Sequence, residues 1–122
     1  DIALLDARKG LKMFEKVEVP VLGIVENMST HICSECGHEE PIFGSGGGEN
    51  MANEYEVDLL GQLPLDIHIR EQADGGDPTV TAMPDSRVTE IYKEIARKAA
   101  AKLAVTGKDY SAKFPKIVIQ NT

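Results

Sequence analysis

Cys33-Ser34-Glu35-Cys36, with His31 just before the pair and His38 just after it, holds the residue types best able to do chemistry in this sequence. A Cys-x-x-Cys turn brings two sulfurs to one side, so both thiolates can bind a single zinc ion or an iron–sulfur cluster. Such sites ordinarily take four ligands, and the chain has no third cysteine. Two routes complete the set. Two copies of the chain about a two-fold axis bring four thiolates together. Alternatively, His31 and His38 close a Cys₂His₂ zinc site within one chain, at a spacing tighter than in ordinary zinc fingers. A thioredoxin-type dithiol would stand at a helix N-terminus after a strand, whereas Gly37 and a polar stretch follow Cys36. Incidental free thiols are more often buried than clustered in polar sequence. The pattern favours metal or cluster binding, and each histidine taken alone reads as a solvated loop residue.

Three further places can touch a ligand. Gly44-Ser45-Gly46-Gly47-Gly48 precedes a helix, where backbone amides can cradle an anion. No Gly-Lys-Ser/Thr follows it, so it is not a phosphate-binding P-loop, and a flexible helix start is the simpler reading. Asn27, in Glu26-Asn27-Met28, falls just past the end of an apolar run. Its amide offers the donor and acceptor that match an adenine edge, although an Asn there is more often a turn residue. Pro64-Leu65-Asp66 occupies the equivalent place after a second run. Open α/β sheets bind ligands beyond such strand ends, so the two segments can line one pocket.

These segments need a frame. Leu4, Ala7, Leu11 and Phe14 recur at helical spacing over residues 1–15. The β-branched run 19–25 predicts a buried strand, with Pro20 at its entrance. Residues 27–46 lack an apolar period and predict a long loop, a length that in compact domains often carries function. Glu49 to Tyr55 predicts a short helix, and 59–63 a second strand closed by Pro64. Strand, helix, strand implies a right-handed crossover with parallel pairing. Residues 66–73 predict another helix, ended by Gly75-Gly76 and Pro78. Pro84 suits the first turn of a long helix running to Leu103. Ile117-Val118-Ile119 reads as an edge strand or a tail. Two strands, or three, are fewer than a doubly wound sheet usually has, so the pattern looks like the second half of one.

Composition narrows the partners. The 122 residues carry 20 acidic side chains against 13 Lys plus Arg, a formal charge of −7. That balance, without a cationic run, disfavours nucleic-acid binding. The apolar runs are far too short to span a membrane, and no secretory or transit segment is visible. Two cysteines three apart are no disulfide framework, which fits a cytoplasmic protein. The chain opens on Asp1 without a Met, which implies that something precedes it in the natural protein.

Taken in order, several stretches resemble the C-terminal part of the Mrp/ApbC family of P-loop ATPases that carry iron–sulfur clusters. They are Asp6-Ala7-Arg8-Lys9-Gly10, Met13-Phe14, Val19 through Ser29, Cys33 through His38, Ile42 through Gly47, Leu60 through Leu65, and Gly76 through Val80. The likeness covers residue 1 to about 105. It implies an α/β fold, the C-terminal portion of a parallel-sheet P-loop NTPase with a deviant Walker A loop (MinD-like). Residues 1–106 would be that part of the ATPase domain, and 107–122 a C-terminal tail. It implies that Cys33 and Cys36 bind a [4Fe-4S] cluster bridged between two subunits of a homodimer, with zinc as a substitute. Asn27 would face adenine, and Pro64, Leu65 and Asp66 would help to enclose the base. Apo iron–sulfur proteins would receive the cluster. In this family the Walker A Lys, the Mg²⁺-binding Ser/Thr and the switch segments lie N-terminal to residue 1. The intact parent would therefore use ATP and Mg²⁺, while this chain alone neither binds ATP tightly nor hydrolyses it. The alternatives are a zinc-binding interaction module using His31, Cys33, Cys36 and His38, and a dithiol oxidoreductase.

Overall fold

A computed structural model of the chain describes residues 2–106. Helix α1 (Ile2–Lys16) leads to strand β1 (Gly23–Glu26), then to a hairpin of two short strands, β2 (His31–Ile32) and β3 (Glu39–Glu40). Helix α2 (Gly47–Glu54), strand β4 (Asp58–Gln62) and helices α3 (Ile67–Gly75), α4 (Thr79–Ala82) and α5 (Arg87–Val105) follow. β1 and β4 pair in parallel, as the strand-helix-strand order requires.

β1 is shorter than the apolar run 19–25 suggests. Glu18 adopts φ +57°, and the Val19 N–H turns back to the Phe14 carbonyl at 2.9 Å, closing α1. Pro20 has no N–H to give a ladder, and pairing with β4 begins only at Gly23, opposite Asp58. Val19 to Leu22 is thus the lead from helix to sheet. Gly23 is needed at the entry, because a Cβ there would stand 2.6 Å from the Asp58 carbonyl oxygen. One residue later than Ile24 the register slips by a bulge, so that Val25 faces Gly61 and Glu26 faces Gln62.

α2 packs on β1 and β4, and α5 lies against β4. Leu11, Met51, Ala52, Leu60 and Leu63 form the buried apolar core. α5 comes so close to the sheet that a Cβ on Gly61 would stand 2.5 Å from Ile95 Cγ1. Salt bridges join α1 to α2 through Arg8 and Glu54, and α5 to β4 through Lys102 and Asp58.

α5 starts later than Pro84 suggests. Ser86 is its N-cap and accepts the Thr89 N–H, a stronger start signal than a proline in the first turn. The four-residue α4, capped by Pro78, was not expected from the sequence. α3 begins one residue inside the expected span, with Asp66 as its N-cap, and ends at Gly76 in the left-handed region. Ile117-Val118-Ile119 lies outside the described residues. No helix among the described residues is long and apolar enough to cross a membrane.

Candidate metal centre and adjoining cleft

The stretch 27–46 is not one irregular loop. Past β1 the chain keeps pairing with the segment that follows β4. Leu63 N–H donates to the Glu26 carbonyl at 2.8 Å, Ser29 N–H to Leu63, and Leu65 N–H to Thr30 at 2.7 Å. An isolated bridge joins His31 to Leu65. The hairpin then rises from this base, with His31 opposite Glu40 and Ile32 opposite Glu39.

Its turn carries the thiols. The Cys33 N–H donates to the His38 carbonyl at 2.9 Å, and the Gly37 N–H returns to the Cys33 carbonyl at 2.8 Å. Gly37 holds φ +70° with open space around it, so the turn needs a residue at ease in the left-handed region. Cys33 is half-buried and Cys36 exposed, and both are free thiols. Backbone N–H groups of Cys36 and then Glu35 hydrogen-bond to the Cys33 sulfur, and the Cys36 thiol adds a third bond. Together they hold the Cys33 thiol below its ordinary value, against burial and the nearby Glu40 carboxylate. A thiol eased towards thiolate, beside a second sulfur at an open tip, has the chemistry to supply two ligands to a metal or cluster.

The histidines do not complete it within one chain. Among the described residues, no three His, Cys, Asp or Glu side chains converge to hold a metal ion. His31 sits in the hairpin base with its Nδ1 enclosed and unpartnered, while His38 is exposed. The tight His-x-Cys-x-x-Cys-x-His spacing places them on a ladder and at a turn, not around one centre. The Cys₂His₂ arrangement is therefore not assembled here.

A cleft of about 370 Å³ opens beneath the hairpin, a volume in the range of small-ligand sites. Pro64 and Asp66 line it, together with Ile32 and Glu39 of the hairpin and Met83 and Arg87 near the start of α5. Asn27 and Leu65 are not on its wall. Asn27 is exposed, and its Oδ1 accepts the Met28 N–H at 2.9 Å while Met28 takes φ +55°. In this structure it serves its own turn. Leu65 spends its N–H on Thr30. Asp66 caps α3 with one oxygen, accepting the His68 N–H at 2.8 Å.

The charges on the cleft select what it can take. Glu26, Glu39 and Asp66 are its carboxylates, and Arg87 is ion-paired to Glu39. Such a wall suits the N–H edge of a base or a neutral donor, and repels a phosphate chain. The glycine segment offers no anion cradle either. Glu26 Oε1 already accepts the Gly48 N–H at 3.2 Å, so the chain's own carboxylate occupies that helix end. Sequence reading missed Glu26 and Gln62 here. Their signal was a polar residue ending each apolar strand.

Comparison with known proteins places the chain in a family. The model of the ParA family described as NUBPL iron-transfer P-loop NTPase matches residues 1–100. A protein of Escherichia coli K12 named iron-sulfur cluster carrier protein is 63% identical over 103 residues, which is 84% of this chain and 28% of the relative. The mouse iron-sulfur cluster transfer protein NUBPL is 46% identical over 103 residues, 84% of this chain and 32% of its own length. The solved structure of a nucleotide-binding protein from Archaeoglobus fulgidus in complex with ADP superposes with a TM-score of 0.50 at 32% identity. The overlap covers 58% of this chain and 29% of that one. The chain thus spans about a third or less of the length of these relatives. The α/β parallel arrangement is that of a P-loop NTPase fold.

Proposed function

The chain belongs to the ParA family of NUBPL-type iron-transfer P-loop NTPases, and we propose that it supplies the cluster-holding thiols of an iron–sulfur cluster carrier. Cys33 and Cys36 take a [4Fe-4S] cluster as cargo, and a second copy of the chain supplies the other two thiolates. The carrier hands the cluster on to apo iron–sulfur proteins in the cytoplasm. One observation carries this reading: a glycine-pinned turn holds two free thiols at an open tip, and no third or fourth ligand converges on them among the described residues. A ligand set that is half complete and open to solvent calls for the same half from a partner. The names of the relatives point the same way.

The cleft under the hairpin is proposed to enclose the adenine of ATP, with Pro64 and Asp66 on its wall. Asn27 and Leu65 stand behind that wall, Leu65 through its bond to Thr30 and Asn27 by ordering the turn after β1. The carboxylate lining fits a base and not its phosphates. A Gly-Lys-Ser/Thr phosphate loop does not occur in these 122 residues. Residues 1–106 thus act as the cluster and base portion of an ATPase domain that is completed by a P-loop; residues 107–122 lie outside the described residues.

The test is anaerobic reconstitution with iron and sulfide, read as molar mass. Loading converts monomer to dimer, and Cys33→Ser leaves the mass unchanged and the protein colourless. A loaded species at monomer mass would overturn the bridged arrangement.

A further inference from the structure

Glu26 is the last residue of β1, and the segment bearing the cysteines starts directly after it. That segment ends at Gly46, where α2 begins. The side chain of Glu26 spans the gap between these two feet. Its Oε1 accepts the Gly48 N–H at 3.2 Å, and its Oε2 accepts the Gln62 side-chain amide at 2.6 Å. Position 48 admits no side chain, since a Cβ there would stand 2.9 Å from Glu26 Cβ. One carboxylate therefore ties both feet of the 27–46 segment to each other and to the end of β4. Bonds to a charged acceptor are about twice as strong as neutral ones, and this one also lies at the positive end of α2.

We propose that Glu26 is a positioning residue for the thiol pair, fixing the base from which the hairpin presents Cys33 and Cys36 together. Metal ligands are held in place by such outer partners, and losing one commonly weakens capture by tenfold or more. The inference rests on the proposed role of the two thiols as ligands, but its test needs no cluster.

The test uses the metal-free chain and phenylarsine oxide, whose arsenic must reach two sulfurs at once. Glu26→Gln keeps the size but removes the charge and one of the two acceptors, so that Gly48 and Gln62 can no longer both donate to the same group. The exchanged pair, Glu26→Gln with Gln62→Glu, restores one carboxylate and one amide across the same gap. Expected in Glu26→Gln are faster hydrogen exchange at the Gly48 amide and an arsenical affinity about tenfold weaker. The exchanged pair should bring both back to within about twofold. The proposal is overturned if Glu26→Gln binds the arsenical as the wild type does. It is also overturned if the exchanged pair, folded by circular dichroism, fails to recover the affinity. Failure of iron and sulfide loading, with the arsenical result intact, would count against the cluster reading and leave Glu26 as the positioning residue.

Discussion

Gly37 donates its backbone N–H to the carbonyl of Cys33 at 2.8 Å while holding φ +70°. This one bond closes the turn that puts both thiols at the hairpin tip. A non-glycine residue in that conformation costs about 1–2 kcal/mol, and the open space around Gly37 means the cost is purely conformational. Gly37→Ala should therefore keep its helix content and lose cluster capture. Circular dichroism and iron analysis after reconstitution check this; full loading would show that the turn does not need its glycine.

The Cys33 thiol is held below its ordinary value, first by the Cys36 backbone N–H, then by that of Glu35 and by the Cys36 thiol. In a Cys36→Ser chain both backbone donors remain, so alkylation of Cys33 should reach half its maximal rate at a lower pH in the folded chain than in the same chain unfolded in urea. The linkage follows in sign. The folded value lies below the unfolded one, so the stabilisation is full above the unfolded value and is lost as pH falls through the folded one. A pH–rate profile with iodoacetamide checks it, and a folded half-point at or above that of the unfolded chain would refute it.

Thr89 is fully buried, with 0% of its surface exposed. Its hydroxyl stands 2.7 Å from the Met83 carbonyl and 3.1 Å from that of Thr79, and its backbone N–H is capped by Ser86. This joins α4 to the start of α5, beside the cleft. Thr89→Val keeps the shape and strands those carbonyls, for an expected loss of about 1–3 kcal/mol in urea unfolding.

Gly61 faces Ile95 with no room for a methyl group. Gly61→Ala should push α5 off β4 and cost about 1–3 kcal/mol. Trimming the helix side, as in Gly61→Ala with Ile95→Val, should recover part of that loss; a neutral single variant would mean the contact is loose.

The chain alone should release no phosphate from ATP above a buffer control, since phosphoryl transfer needs the Lys and Mg²⁺ cradle of a phosphate loop. A malachite green assay of the purified chain is sufficient.

How much of this was legible in the sequence depended on how far apart the partners lie. α1, α5 and the parallel β1–β4 pair follow from apolar periods that each segment carries by itself. The apolar stretch 19–22 misled because a lead into a sheet is as hydrophobic as the strand it joins, and only the pairing of Gly23 with Asp58 marks the start. The hairpin was invisible because its strands are two residues long and its base is fixed by Leu63 and Leu65, over thirty residues away. Cys33 and Cys36 could be read from spacing alone. Glu26 could not, because its role exists only once β1, α2 and β4 have met. Asn27 was placed after β1 correctly, but which way its amide turns is decided by the left-handed backbone at Met28.

The most direct measurement is the iron, sulfide and zinc content of anaerobically reconstituted protein at known molar mass, for wild type, Cys33→Ser and Cys36→Ser. Two irons and two sulfides per chain are expected on a dimer, half of a four-iron cluster from each copy, with visible absorbance that vanishes in either serine variant. One zinc per monomer with no cluster, or a cluster that survives loss of either cysteine, would contradict it.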